Sequence, residues 1–191
     1  MAPLGAARAL ITGGALDLGK LELIGNTQTI TSNTGAVQFT SIDQSTYKTH
    51  LLTIARMKSD TDNKAVEIQL SNDGGSSYEA ATYYWAFDYM KANGTFTRPG
   101  ASNNDVFTLI QNVGNNTAES FNAYVWLHNL GNASKFSTIT WSGVGMTQDP
   151  DQISVFGSGT YATAEAMNAL QLKFSSDNVA SGVFSLYGVG E

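Results

Sequence analysis

The chain has 191 residues, 42% of them hydrophobic and only 14% charged, with a net charge of −6 and no cysteine. That is enough for one packed core, and 20 Thr, 18 Ser, 15 Asn and 19 Gly disfavour helices and suit short strands joined by turns. Ten scattered basic residues leave no nucleic-acid patch, no apolar run reaches the roughly 18 residues of a membrane span, and thiol chemistry is excluded.

Residues 1–20 stand apart. They are rich in Ala, Gly and Leu, and Gly13, Gly14 and Gly19 interrupt the apolar residues. A secretory leader needs a continuous apolar stretch, so the segment reads as a retained N-terminal arm. It cannot bury itself alone, so it lies on its own domain or packs on another chain; in the second case Leu4, Arg8, Leu10, Ile11, Leu16 and Leu18 are the candidate docking contacts. A second unit, residues 21–191, begins where alternation begins.

In chain order, the pattern predicts strands at Leu21–Ile24, at Ala36–Phe39 and along the longer apolar run Thr49–Lys58, which reads as central. Val66, Ile68 and Leu70 alternate with polar neighbours, and Asn72-Asp73-Gly74-Gly75 supplies turn chemistry. Thr82–Met90 is an aromatic strand, followed by a loop from Asn93 through Asn103-Asn104. Strands are predicted again at Val106–Ile110, Phe121–His128 and Phe136–Trp141, with a turn at Asn112–Asn116 and a Gly-rich loop through Asp149-Pro150-Asp151. Ala162–Leu172 is the one serious helix candidate, though its second half alternates like a strand, and Val183–Tyr187 closes the chain. Nine or ten strands without a fixed repeat predict an all-β fold: an antiparallel β-sandwich of jelly-roll type.

Signals for catalysis are weak. His50 and His128 lack metal-ligand spacing, and each reads best as a strand-end polar residue. Gly157-Ser158-Gly159 lacks the nucleophile-elbow pattern, and Gly143-Val144-Gly145 lacks the third glycine of a phosphate cradle. Asp60/Asp62 and Asp149/Asp151 are pairs that could bind Ca2+, but the first lacks the glycine and distant Glu of an EF-hand loop, and solvated turns explain both. No carboxylate pair across separate strands is nominated for glycoside hydrolysis. No cofactor is expected.

Aromatic residues carry the remaining signal. Tyr83, Trp85, Phe87 and Tyr89 share one strand face, with Tyr84 opposite; Tyr124 and Trp126 share another, and Trp141 follows in sequence. Tyr124, Trp126 and Trp141 are therefore candidates for a glycan-stacking platform. Alternate aromatics in a sandwich equally suit the core or a subunit contact, and that simpler reading is preferred.

The segment Ser71-Asn72-Asp73-Gly74-Gly75-Ser76-Ser77-Tyr78, and above all the terminal Ser176-Asp177-Asn178-Val179-Ala180-Ser181-Gly182-Val183-Phe184-Ser185-Leu186-Tyr187-Gly188, resembles a loosely defined set of tailed-bacteriophage structural proteins. The resemblance implies a non-enzymatic virion component on the surface of the head or tail, made in the host cytoplasm. A capsid decoration or head-fibre protein comes first, and a tail-fibre or baseplate appendage or host-glycan-binding module second. It implies other virion proteins as partners and a homo-oligomer, a trimer by analogy. It carries over no catalytic residue.

Overall fold

A computed structural model describes residues 20–190. The proposed arm residues Leu4, Arg8, Leu10, Ile11, Leu16 and Leu18 lie outside this range. The described residues form fourteen strands and no helix: β1 (Leu21–Leu23), β2 (Gln28–Ile30), β3 (Val37–Phe39), β4 (Thr49–Ser59), β5 (Lys64–Ser71), β6 (Tyr83–Lys91), β7 (Phe96–Thr97), β8 (Gly100–Asn104), β9 (Phe107–Val113), β10 (Phe121–His128), β11 (Ser137–Met146), β12 (Gln152–Tyr161), β13 (Ala169–Phe174) and β14 (Val179–Val189).

Every strand pairing is antiparallel. A ten-stranded sheet runs β1-β14-β4-β10-β11-β12-β6-β7, with β2 also on β14 and β8 also on β6; a four-stranded sheet runs β3-β13-β5-β9. Each strand of the small sheet is entered from the large sheet and left back to it, so the small sheet contains no hairpin. The two layers enclose one core, in which Leu52, Phe121, Trp141 and Phe184 of the large sheet meet Ile68, Phe107, Leu170 and Phe174 of the small one. The result is an antiparallel β-sandwich, and its strand order is compatible with the jelly-roll expectation.

Both edges of the large sheet are broken into short pieces. β1 pairs with residues 187–189 of β14 and β2 with residues 182–184. At the far edge β7 pairs with Tyr89 and Met90, and β8 with residues 83–86 of β6. Short, interrupted edges offer a poor template for uncontrolled strand addition.

Several sequence expectations need correction. Residues 93–104 are not one loop: they hold β7 and β8. Residues 162–168 form no helix, and regular structure resumes only at Ala169, where Leu170, Leu172 and Phe174 point into the core. β12 was not expected at all, because two of its inward positions are Gly157 and Gly159 and give no apolar alternation. The Gly-rich stretch 143–145 continues β11 instead of ending it, and Asn112 belongs to β9. β13 and β14, though consecutive, do not pair with each other. They lie in opposite sheets, so residues 175–178 cross the sandwich.

Candidate functional site

The outer face of the large sheet is the surface that the fold presents on its broadest side. Its register can be read strand by strand. Ser185, Thr53, Tyr124, Ser142, Phe156 and Asp88 lie in one row across β14, β4, β10, β11, β12 and β6. The next row is Tyr187, Leu51, Trp126, Thr140, Ser158 and Ala86. Along β4 from Thr49 to Ala55, and throughout β10, β11 and β12, no outward position is Asp, Glu, Lys or Arg. A sheet face turned to water usually carries charges at such positions.

Aromatic and aliphatic groups stand out of this hydroxyl-rich field. Tyr124 is 51% exposed and Phe156 63% exposed, one strand apart across Ser142. Trp126 is half-buried beside Leu51, which itself pairs with Tyr187, and Leu51 is only 9% exposed although it faces outward. Neighbouring side chains on a pleated face cover one another in this way.

Trp141 does not belong to this platform. It is directly opposite Val125 in the register, and directly opposed residues share a face, so both point inward. Its ring is 1% exposed and its Nε1 donates to the Leu109 carbonyl of the other sheet at 2.8 Å. Only Tyr124 and Trp126 of the three sequence candidates are brought together on the surface. Tyr83, Trp85, Phe87 and Tyr89 all face the core, with Tyr84 outside.

The titratable candidates have structural partners. His50 is fully buried, its Nε2–H donating to the Ile42 carbonyl at 2.7 Å, and burial pushes its pKa below the usual imidazole value against that hydrogen bond. His128 is half-buried beside the Thr49 hydroxyl. Asp60 accepts from the Asn178 backbone N–H and Nδ2 at 3.0 Å and from Asn33, stapling the β4 end to the β14 start; Asp62 accepts from the Asn115 N–H. Among the described residues no three His, Asp or Glu side chains converge on a metal-sized site. Asp73 organises its turn by accepting from Ser77 N–H, Ser77 Oγ and Ser71 Oγ, and these donors hold its carboxyl down at about 2.

One feature escaped the sequence reading. At one end of the same outer face, β4 carries a bulge: Phe121 of β10 is opposite Met57, but Ala123 is opposite Ile54. Arg56 sits in the bulge in left-handed conformation (φ 55°), its N–H donating to Asn122 Oδ1 at 2.9 Å. The signal was present, since the inward series His50, Leu52, Ile54, Met57 slips phase at its last step. A cleft of about 410 Å3 opens there between β2, the β4–β14 pair and residues 117–120.

No known protein family matches the chain, and neither a curated protein nor a solved structure is significantly similar to it. Among the described residues no helix is long and apolar enough to cross a membrane.

Proposed function

We propose that this protein is a non-enzymatic structural component of a tailed-phage particle, a capsid decoration or head-fibre protein docked through residues 1–20. The resemblance at Ser176–Gly188 supports the phage setting. The observation that supports an assembly role is the charge-free stretch of the large sheet's outer face across β10, β11 and β12, centred on Tyr124, Trp126 and Phe156.

Its occupant in this reading is a second copy of the chain. A chain with net charge −6 repels itself, except where two surfaces meet without formal charge. That stretch can be buried without desolvating a charged group, which is a large cost of closing a polar interface. Particles complemented with a variant lacking residues 2–19 test the arm. The expected result is loss of incorporation with the β-sandwich still folded; normal incorporation overturns the docking role.

A further inference from the structure

We propose that the cleft beside Arg56 is a binding site for an acidic sugar, a uronic or sialic acid residue of a polysaccharide, with its carboxylate held by Arg56 and Lys58. The argument rests on the cleft itself and stands whether or not the protein is a virion component.

The cleft concentrates what the rest of the surface lacks. The chain has only ten basic residues, and Arg56 and Lys58 both line this one space. Neither forms an ion pair or a side-chain hydrogen bond among the described residues, whereas Lys64, Arg98 and Lys173 are each paired with a carboxylate. A guanidinium and an ammonium at one lip are the chemistry that recognises a carboxylate. The single carboxylate in the lining, Glu119, is turned into its own loop. Its Oε2 accepts from Asn116 N–H at 2.8 Å and its Oε1 from Asn116 Nδ2 at 3.0 Å.

The backbone is committed to this arrangement. Most non-glycine residues with left-handed φ here are Asn or Asp, which tolerate it; Arg56 and Thr82 are the exceptions. A long side chain at a strained bulge position is a feature to be explained by what it reaches.

The remaining lining separates a sugar from a simple anion. Thr29, Thr31, Thr117, Ser120 and Ser181 line the cleft, and none of their hydroxyls bonds another protein group among the described residues. Some hydroxyls elsewhere in the fold are engaged, as in Thr27 with Ser185, Thr61 with Asp177 and Thr82 with Thr163. Ile30 and Val183 add apolar wall for the C–H face of a ring. The volume falls within the roughly 300–1,000 Å3 of small-molecule sites. An acidic peptide side chain would use the two cations and leave the hydroxyls idle.

The test is an NMR titration of the full-length protein with glucuronate, N-acetylneuraminate, glucose, acetate, inorganic phosphate and a tetraglutamate peptide. The expected result is saturable shifts from one of the acidic sugars at millimolar concentration, confined to residues around Arg56, Ser181 and Val183. Acetate, phosphate, tetraglutamate and glucose should bind at least about tenfold more weakly. Arg56→Gln and Lys58→Gln should each weaken sugar binding about tenfold or more, with the amide spectrum otherwise unchanged. Arg56→Asn, which suits the left-handed backbone, gives a folded control that also loses the charge. No saturable shift with either acidic sugar overturns the proposal. So does equal or tighter binding of acetate, phosphate or tetraglutamate, or undiminished sugar binding in the folded Arg56→Asn and Lys58→Gln variants.

Discussion

The Trp141 indole of β11 donates its Nε1–H to the backbone carbonyl of Leu109 in β9, at 2.8 Å, and so ties the large sheet to the small one through the core. β9 is the edge of the small sheet, with β5 as its one partner strand in that sheet, and this carbonyl has found its partner across the sandwich. Trp141→Phe removes the donor, leaves a buried acceptor unsatisfied and opens a void. We expect a loss of about 2–4 kcal/mol in urea unfolding. A loss below about 0.5 kcal/mol would show that the inter-sheet bond contributes nothing net.

A second inter-sheet bond joins the same layers, the Leu70 N–H of β5 donating to the Tyr83 hydroxyl of β6 at 2.8 Å. Burial pushes the Tyr83 phenol well above its ordinary value of 10.0, because the phenolate would have to form inside the core. The neutral form is therefore favoured in the fold. Its contribution is fully present below pH 10 and is lost as pH rises above it towards the raised folded value. Stability should be flat approaching pH 10 and fall steeply above it. Tyr83→Phe should cost about 1–3 kcal/mol at neutral pH and make the alkaline fall shallower, as read by chemical unfolding across that range.

The strands that alternate strongly, β4, β5, β6 and β10, were legible in the sequence, because large apolar groups mark their inward positions. β12 was not, for a reason visible in its packing. Its inward Gly157 lies between Trp141 and Phe87 in the register, and those two rings meet above it with centroids 6.1 Å apart. The aromatic bulk of the neighbours fills the space that a β12 side chain would have used. A local pattern cannot show that, since the missing volume belongs to residues 16 and 70 positions away in sequence. For the site, the alternation placed Tyr124 and Trp126 on one face, but the face of Trp141 depended on strand register. The cation cleft depended on a crossover that brings β2, β4 and β14 together.

Filling that gap should be costly. A Cβ at Gly157 would come within 2.3 Å of Trp141 Cζ2 and 2.6 Å of Phe87 Cβ, and neither is the end of a flexible side chain. Gly157→Ala must push both rings aside, for which overpacking values of about 1–3 kcal/mol apply. Gly74→Ala tests the other extreme, because nothing lies within 4 Å of its Cβ position and the only penalty is its φ of +74°. Thermal unfolding of the two variants should show Gly157→Ala as the more damaging. The reverse order would mean that the β11–β12–β6 layer yields easily.

His50 gives the fold an acid-sensitive point. It is buried and neutral, and desolvation lowers its pKa below the 6.5 of an exposed imidazole. The unfolded chain takes up the proton first. Stability is therefore present above pH 6.5 and is lost as pH falls through the depressed folded value, with a slope of up to about 1.4 kcal/mol per pH unit. His50→Gln should keep a donor for the Ile42 carbonyl and flatten that slope, which urea midpoints at a series of pH values below 6.5 would reveal. An unchanged slope would assign the acid sensitivity to other groups.

The outer face yields the sharpest division between folding and assembly. Tyr124 is half exposed and has no inward contact to lose, so Tyr124→Glu should alter unfolding free energy by no more than about 0.5 kcal/mol. In an interface between two copies the same substitution places a carboxylate where no outward neighbour on β10 or β11 carries a compensating charge. Burying it there would require stripping its hydration without a partner, which penalises the assembled state alone. Sedimentation velocity should therefore show the variant shifted towards monomer while circular dichroism and melting stay unchanged. Trp126→Ala separates the alternatives further. Loss of both folding and assembly would make Trp126 a cover for Leu51, whereas loss of assembly alone would place it in the contact itself. An oligomer distribution untouched by Tyr124→Glu would leave this face open to solvent in the assembled protein and remove the main support for self-association.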